Sequence, residues 1–117
     1  MKVAVSSTGD GIDSEMDPRF GRCQYFVLVD TETMSAETHK NPGSNATGGA
    51  GFQAVQFCSD IGADAVISGS FGPNAFNTLK EAGIRMYTAS GRKIRDLVEA
   101  LKKGELKEME SAGPRGH

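Results

Sequence analysis

Cys23 closes the run Asp17-Pro18-Arg19-Phe20-Gly21-Arg22-Cys23, so one thiol follows two arginines in a loop that Gly21 makes bendable. Fixed positive charge beside a cysteine lowers the thiol pKa and frees the thiolate as a nucleophile or soft-metal ligand. Cys23 is therefore the candidate metal ligand, with Arg19 and Arg22 placed to face an anion. The plainer alternative is a small buried residue that starts a strand. Catalysis through this thiol lacks a histidine with a definable place beside it.

Two glycine-rich segments offer a second chemistry. Asn45-Ala46-Thr47-Gly48-Gly49-Ala50-Gly51 leads into a helical pattern, and Gly69-Ser70-Phe71-Gly72-Pro73-Asn74 leads into another. The first turn of a helix leaves N–H groups without intrahelical partners and carries the positive end of the dipole, which favours an anion. Both segments equally suit tight connections with no ligand. Gly49-Ala50-Gly51-Phe52-Gln53-Ala54 satisfies the dinucleotide fingerprint formally, but it follows a polar loop, and the next strand ends in Ser68-Gly69-Ser70 where an acidic ribose partner would be required.

Other chemistries are excluded by what is missing. Asp10, Asp13, Glu15 and Asp17 lack the turning glycine and the final glutamate of a calcium loop, and they read as a solvated acidic loop. Two-metal hydrolysis needs carboxylates on the first strand, which offers only Lys2, Val3, Ala4 and Val5. Ser6, Ser7, Ser68 and Ser70 have no triad histidine, since His39 falls on an edge strand and His117 ends the sequence. The aromatics are core candidates, with Phe20 and Phe71 also able to wall a cleft.

The elements that must position these residues follow from periodicity. Val3-Ala4-Val5 reads as a first strand, residues 24 to 30 as a second strand covered on both faces, and 34 to 40 as a polar edge strand completing a hairpin. Gly51, Ala54, Val55, Cys58 and Ile61 form a helical stripe that turns Cys58 to the core. Ala65-Val66-Ile67 is a buried strand, Pro73 opens a second helix ended by Gly83, and residues 84 to 87 make a fifth strand. A third helix carries Ile94, Leu97, Val98 and Leu101 and stops near Gly104. The order implies a three-layer α/β domain with a mixed sheet, and a ligand edge beyond the carboxyl ends of its parallel strands.

The chain has 117 residues, enough for one core without disulfides or structural metal. A single domain over residues 1–103 and a flexible tail over 104–117 are expected. A formal charge of -2 gives no basic footprint for nucleic acid, and no stretch approaches membrane-spanning length. The polar start lacks a signal-peptide core, which predicts a cytoplasmic protein with free thiols.

The opening Val3-Ala4-Val5-Ser6, the Asp17 to Cys23 loop, Asn45 with Gly49-Ala50-Gly51, and Gly69-Ser70-Phe71-Gly72-Pro73-Asn74-Ala75 occur in an order and spacing that resemble the dinitrogenase iron-molybdenum cofactor biosynthesis family, across residues 1 to 102. The resemblance implies a ribonuclease-H-like fold with a five-stranded sheet of order 3-2-1-4-5, strand 2 antiparallel, helices on both faces, and no nuclease activity. It also implies a nonenzymatic protein that binds or carries a metal-sulfur cluster of iron-sulfur, iron-molybdenum or molybdenum-copper type. Its partner would be a cofactor-assembly or acceptor protein, and the chain itself a monomer or weak homodimer. Carried onto this sequence, the resemblance points to Cys23 and to the Gly48 to Gly51 loop; joined to the reading of the residues above, the expected site is Cys23 as metal ligand, with Arg19, Arg22, Asn45, Gly48, Gly49, Gly51, Gly69 and Gly72 around the cofactor. Many relatives place a histidine just before the glycine-alanine-glycine element, where this chain has Thr47-Gly48-Gly49. Because clusters are commonly held by four thiolates and this chain has two cysteines, one of them expected in the core, the implied role is transient carriage. The alternative is a binding or regulatory module for a phosphate-bearing small molecule, using the same helix starts.

Overall fold

A computed structural model describes residues 1–44 and 48–109. Strands β1 (Lys2–Ser7), β2 (Tyr25–Asp30) and β3 (Ala36–Lys40) come first, followed by helix α1 (Ala50–Asp60), strand β4 (Ala65–Ser68), helix α2 (Pro73–Glu81), strand β5 (Arg85–Thr88), helix α3 (Ile94–Lys102) and strand β6 (Lys107–Glu108). The sheet order is β3-β2-β1-β4-β5-β6. β2 runs antiparallel to β1 and β3, while β4 and β5 run parallel to β1, as two helical crossovers require.

Alternation along the strands builds two cores. Ala4, Phe26, Leu28, Val66 and Met86 face α1 and α2, which contribute Ala54, Val55, Cys58, Phe76 and Leu79. Val3, Val5, Val27, Val29, Ala65, Ile67 and Tyr87 face α3, which contributes Ile94, Leu97 and Val98. Side chains buried on both faces explain why β1, β2 and β4 read as continuous apolar runs rather than alternating ones. The result is the ribonuclease-H-like three-layer arrangement.

Three expectations are corrected. The sheet has a sixth strand, because β6 pairs antiparallel with β5 and Arg85 grips Glu108 through two hydrogen bonds of 3.1 and 2.7 Å. The segment just after Gly104 is therefore docked rather than loose; residues 110–117 and His117 lie outside the described residues. Phe52 is not core but 59% exposed, because it lies on the side of α1 opposite Ala54, Val55 and Cys58. Asp17 does not belong to a solvated acidic loop: it is buried and bonded to Arg19.

Candidate functional site

The loop from Asp17 to Arg22 lies across the carboxyl ends of β1 and β4, and its anchors are hydroxyls and close backbone approaches. Ser6 Oγ donates to the Asp17 carbonyl at 2.6 Å and lies 2.8 Å from Ser68 Oγ, so both strands grip the loop at one buried point. Arg19 forms a short parallel bridge with Ser70. Gly69 admits this approach, since a Cβ there would stand 2.6 Å from Pro18 Cβ. Gly21 does the same at the other end, where a Cβ would meet the Gly51 nitrogen at 3.0 Å. The glycines at 21 and 69 are thus spaces that the chain itself fills.

Asp17 fixes Arg19 at the mouth. Its Oδ1 accepts from Arg19 Nε at 3.1 Å and from the Arg19 backbone N–H at 2.9 Å, and its Oδ2 accepts from Nη2 at 3.1 Å. Burial alone would raise the Asp17 pKa, but these hydrogen bonds and the guanidinium charge outweigh it and hold the carboxyl below its ordinary value. The guanidinium itself is two-thirds exposed and available to a ligand.

Under this loop the starts of α1 and α2 converge on a cleft of about 380 Å³, lined by Arg19, Phe20, Gly49, Gly51, Phe52, Gly72 and Asn74 among others. Neither helix has a side-chain cap, Gly49 at the start of α1 is left-handed at φ 72°, and Pro73 occupies the first turn of α2. Space around Gly49 and Gly72 is open, so their backbones can be approached. The expected site residues Arg19, Gly49, Gly51 and Gly72 are brought together here. Gly48 is exposed beside the cleft without lining it, Gly69 is covered by Pro18, and Asn45 lies outside the described residues. Arg22 lines a neighbouring groove together with Arg19, Lys40 and Asn41.

Cys23 departs from expectation most clearly. The thiol points into the core and is fully buried, while both arginines face solvent. Its Sγ–H donates to the Phe20 carbonyl at 3.3 Å, and the sulfur accepts from Asn41 Nδ2 at 3.8 Å. Burial, aided by the Asp17 charge, pushes the pKa up to about 12, the reverse of a thiol activated by arginine, and the hydrogen bonds offset only part of this. The sulfur therefore pins the loop and is not presented as a metal ligand. Cys58 is also buried, with its pKa raised by burial. Among the described residues, no group of three or more histidine, cysteine, aspartate or glutamate side chains gathers to hold a metal ion.

Asn41 is the functional residue that sequence reasoning missed. Buried at the end of β3, it donates to the carbonyls of Cys23 at 2.8 Å and Gly21 at 3.2 Å, and its Oδ1 accepts from the Gly43 N–H at 3.0 Å. It thereby ties the arginine loop to the segment that leads into α1. Asn41-Pro42-Gly43 carries a turn signal that marks its place but not its partners.

Fold and cleft together define a small ribonuclease-H-like α/β domain whose ligand edge is lined by glycines and arginine instead of catalytic carboxylates. The chain belongs to the dinitrogenase iron-molybdenum cofactor family, whose model matches residues 1–104. The apo form of the orange protein from Desulfovibrio gigas is 36% identical, with a TM-score of 0.91 over 94% of this chain and 93% of that one. A Thermotoga protein assigned as NifB is 33% identical, with a TM-score of 0.81 and 94% of each chain covered. An uncharacterized protein of Methanocaldococcus jannaschii is 28% identical over 114 residues, which is 94% of this chain and 97% of the relative.

Proposed function

We propose that the protein is a nonenzymatic carrier of an anionic metal-sulfur cluster or its precursor, held in the cleft between the starts of α1 and α2 and handed to a cofactor-assembly or acceptor protein in the cytoplasm. The observation that carries this reading is the convergence of two uncapped helix starts and the Arg19 guanidinium on one cleft. Each helix start contributes about 0.3–1 kcal/mol toward an anion, so the pair with an arginine favours reversible rather than permanent binding. Membership of the cofactor family and likeness to the orange protein support the class of cargo.

The burial of Cys23 favours a cargo that brings its own sulfur and needs no protein thiolate in this closed form. The test is anaerobic loading with iron and sulfide, and separately with tetrathiomolybdate and copper, followed by desalting, metal analysis and an absorption spectrum. Stoichiometric metal with charge-transfer bands is expected in the wild type and in Cys23→Ser. In Gly72→Asp the affinity should fall at least about tenfold, because a carboxylate at the α2 start repels the cargo even though aspartate is a favourable cap. Loss of loading in a folded Cys23→Ser would establish thiolate ligation through an opened loop. A colourless protein under both conditions, stabilised by phosphate, would sink the carrier reading and favour a phosphate-ligand module.

A further inference from the structure

Beside the cleft proposed for the cargo, and sharing Arg19 with it, lies a second groove of about 620 Å³. Arg19, Arg22 and Lys40 line it together with the neutral donors Gln24, Tyr25 and Asn41, and among the described residues none that lines it is acidic. In a chain whose formal charge is -2, three cations around one concavity are a local concentration of positive charge. Asp17 neutralises part of the Arg19 charge.

The position of Lys40 narrows the kind of ligand. Lys40 ends β3, the terminal strand of the sheet, and pairs with Tyr25 on its inner side. On the other side of β3 no strand is paired among the described residues, which leaves a row of backbone groups suited to adding an extended chain. Lys40 belongs to both the edge strand and the groove lining, so the edge and the groove meet at that residue. Main-chain bonding along β3 then supplies affinity, and the cations select for carboxylates.

We propose that the β3 edge and this groove form the docking surface for an extended, aspartate- and glutamate-rich segment of the protein that receives the cargo. That this partner receives the cargo rests on the carrier reading; the binding of an acidic segment does not. Because Arg19 walls both concavities, two anionic ligands compete for one guanidinium, so docking weakens cargo binding and cargo weakens docking to the same extent.

The test is a nitrogen-15 amide titration of the metal-free full chain with a peptide of alternating glutamate and serine, with inorganic tripolyphosphate in a parallel arm, at low and high salt. The expected result is peptide binding that shifts Tyr25, Thr38 and Lys40, weakens in high salt, and falls by about tenfold in Lys40→Glu, with Lys40→Gln between the two. Lys40 is exposed, and the dispersion of the same spectra reports whether each variant is folded. Equal affinity in Lys40→Glu, shifts confined to another face, or binding of tripolyphosphate without the peptide would overturn the proposal. If the peptide binds as expected while metal loading fails, the docking surface stands and the carrier reading falls.

Discussion

At the scale of single residues, Cys23 and Asp17 both act by fixing the loop, and they give opposite pH signatures. The folded pKa of Cys23 is raised, so its contribution is complete below the unfolded thiol value of about 8.5 and is lost as pH climbs through the window up to about 12. The urea midpoint should hold steady to about pH 8.5 and fall above it, with a shallower fall in Cys23→Ser. Alkylation of Cys23 near neutral pH should be slow in the native protein and rapid in urea, as mass spectrometry of the labelled peptide would reveal. Asp17 is depressed, so its contribution is present above about pH 3.9 and lost as pH falls through the lower folded value. Asp17→Asn should cost about 1–2 kcal/mol in urea unfolding, a figure held down by the solvent exposure of Arg19. The sequence placed a cysteine beside two arginines correctly, but adjacency along the chain says nothing of direction. The tight turn through Phe20 sends the arginines outward and the thiol inward, and no periodic pattern encodes such a turn.

Elements explain which glycines matter. Gly69→Ala should destabilise by about 1–3 kcal/mol, because the new methyl meets the rigid ring of Pro18 and the loop must lift. Gly51→Ala should do the opposite and stabilise by a few tenths of a kcal/mol up to about 1 kcal/mol, since its Cβ would stand 3.6 Å from that of Ala75, in ordinary contact, and alanine in the first turn of α1 gives up less backbone entropy than glycine. Thermal unfolding of the two variants side by side would check the contrast. In sequence the two glycines looked alike, both flanking a helix start. Periodicity located α1, α2, α3, β1, β2, β4 and β5 to within a few residues, because each has a long enough apolar stripe or run to announce itself, while the polar β3 was placed by the turn that folds it back on β2. β6 stayed hidden: two residues carry no period, and Lys107 and Glu108 are held by their edge pairing and by Arg85 rather than by an apolar face. Phe52 was misplaced by its residue type, although the stripe through Ala54, Val55 and Cys58 already put it on the outer side.

For the molecule as a whole, the sheet order gathers every expected site residue that is described at one end, beyond the carboxyl ends of β1 and β4, and leaves α3 to close the opposite face. The docked C-terminal strand has its own signature: the Met109 N–H, which donates to the Met86 carbonyl at 2.8 Å, should exchange with deuterium more slowly than a free amide. Hydrogen-exchange mass spectrometry of the peptide spanning residues 105–109 would show rapid, unprotected exchange if that pairing were absent. The closeness of Gly69 and Pro18 reaches past this chain. Where the loop from Asp17 to Arg22 lies down over the sheet, no side chain fits at position 69, and where a side chain stands there, the loop cannot lie down. Two stretches some fifty positions apart are bound by a single steric rule and must be inherited or lost together. In any descendant of this fold, a lone substitution at that glycine announces a different roof over the cleft before a structure is solved.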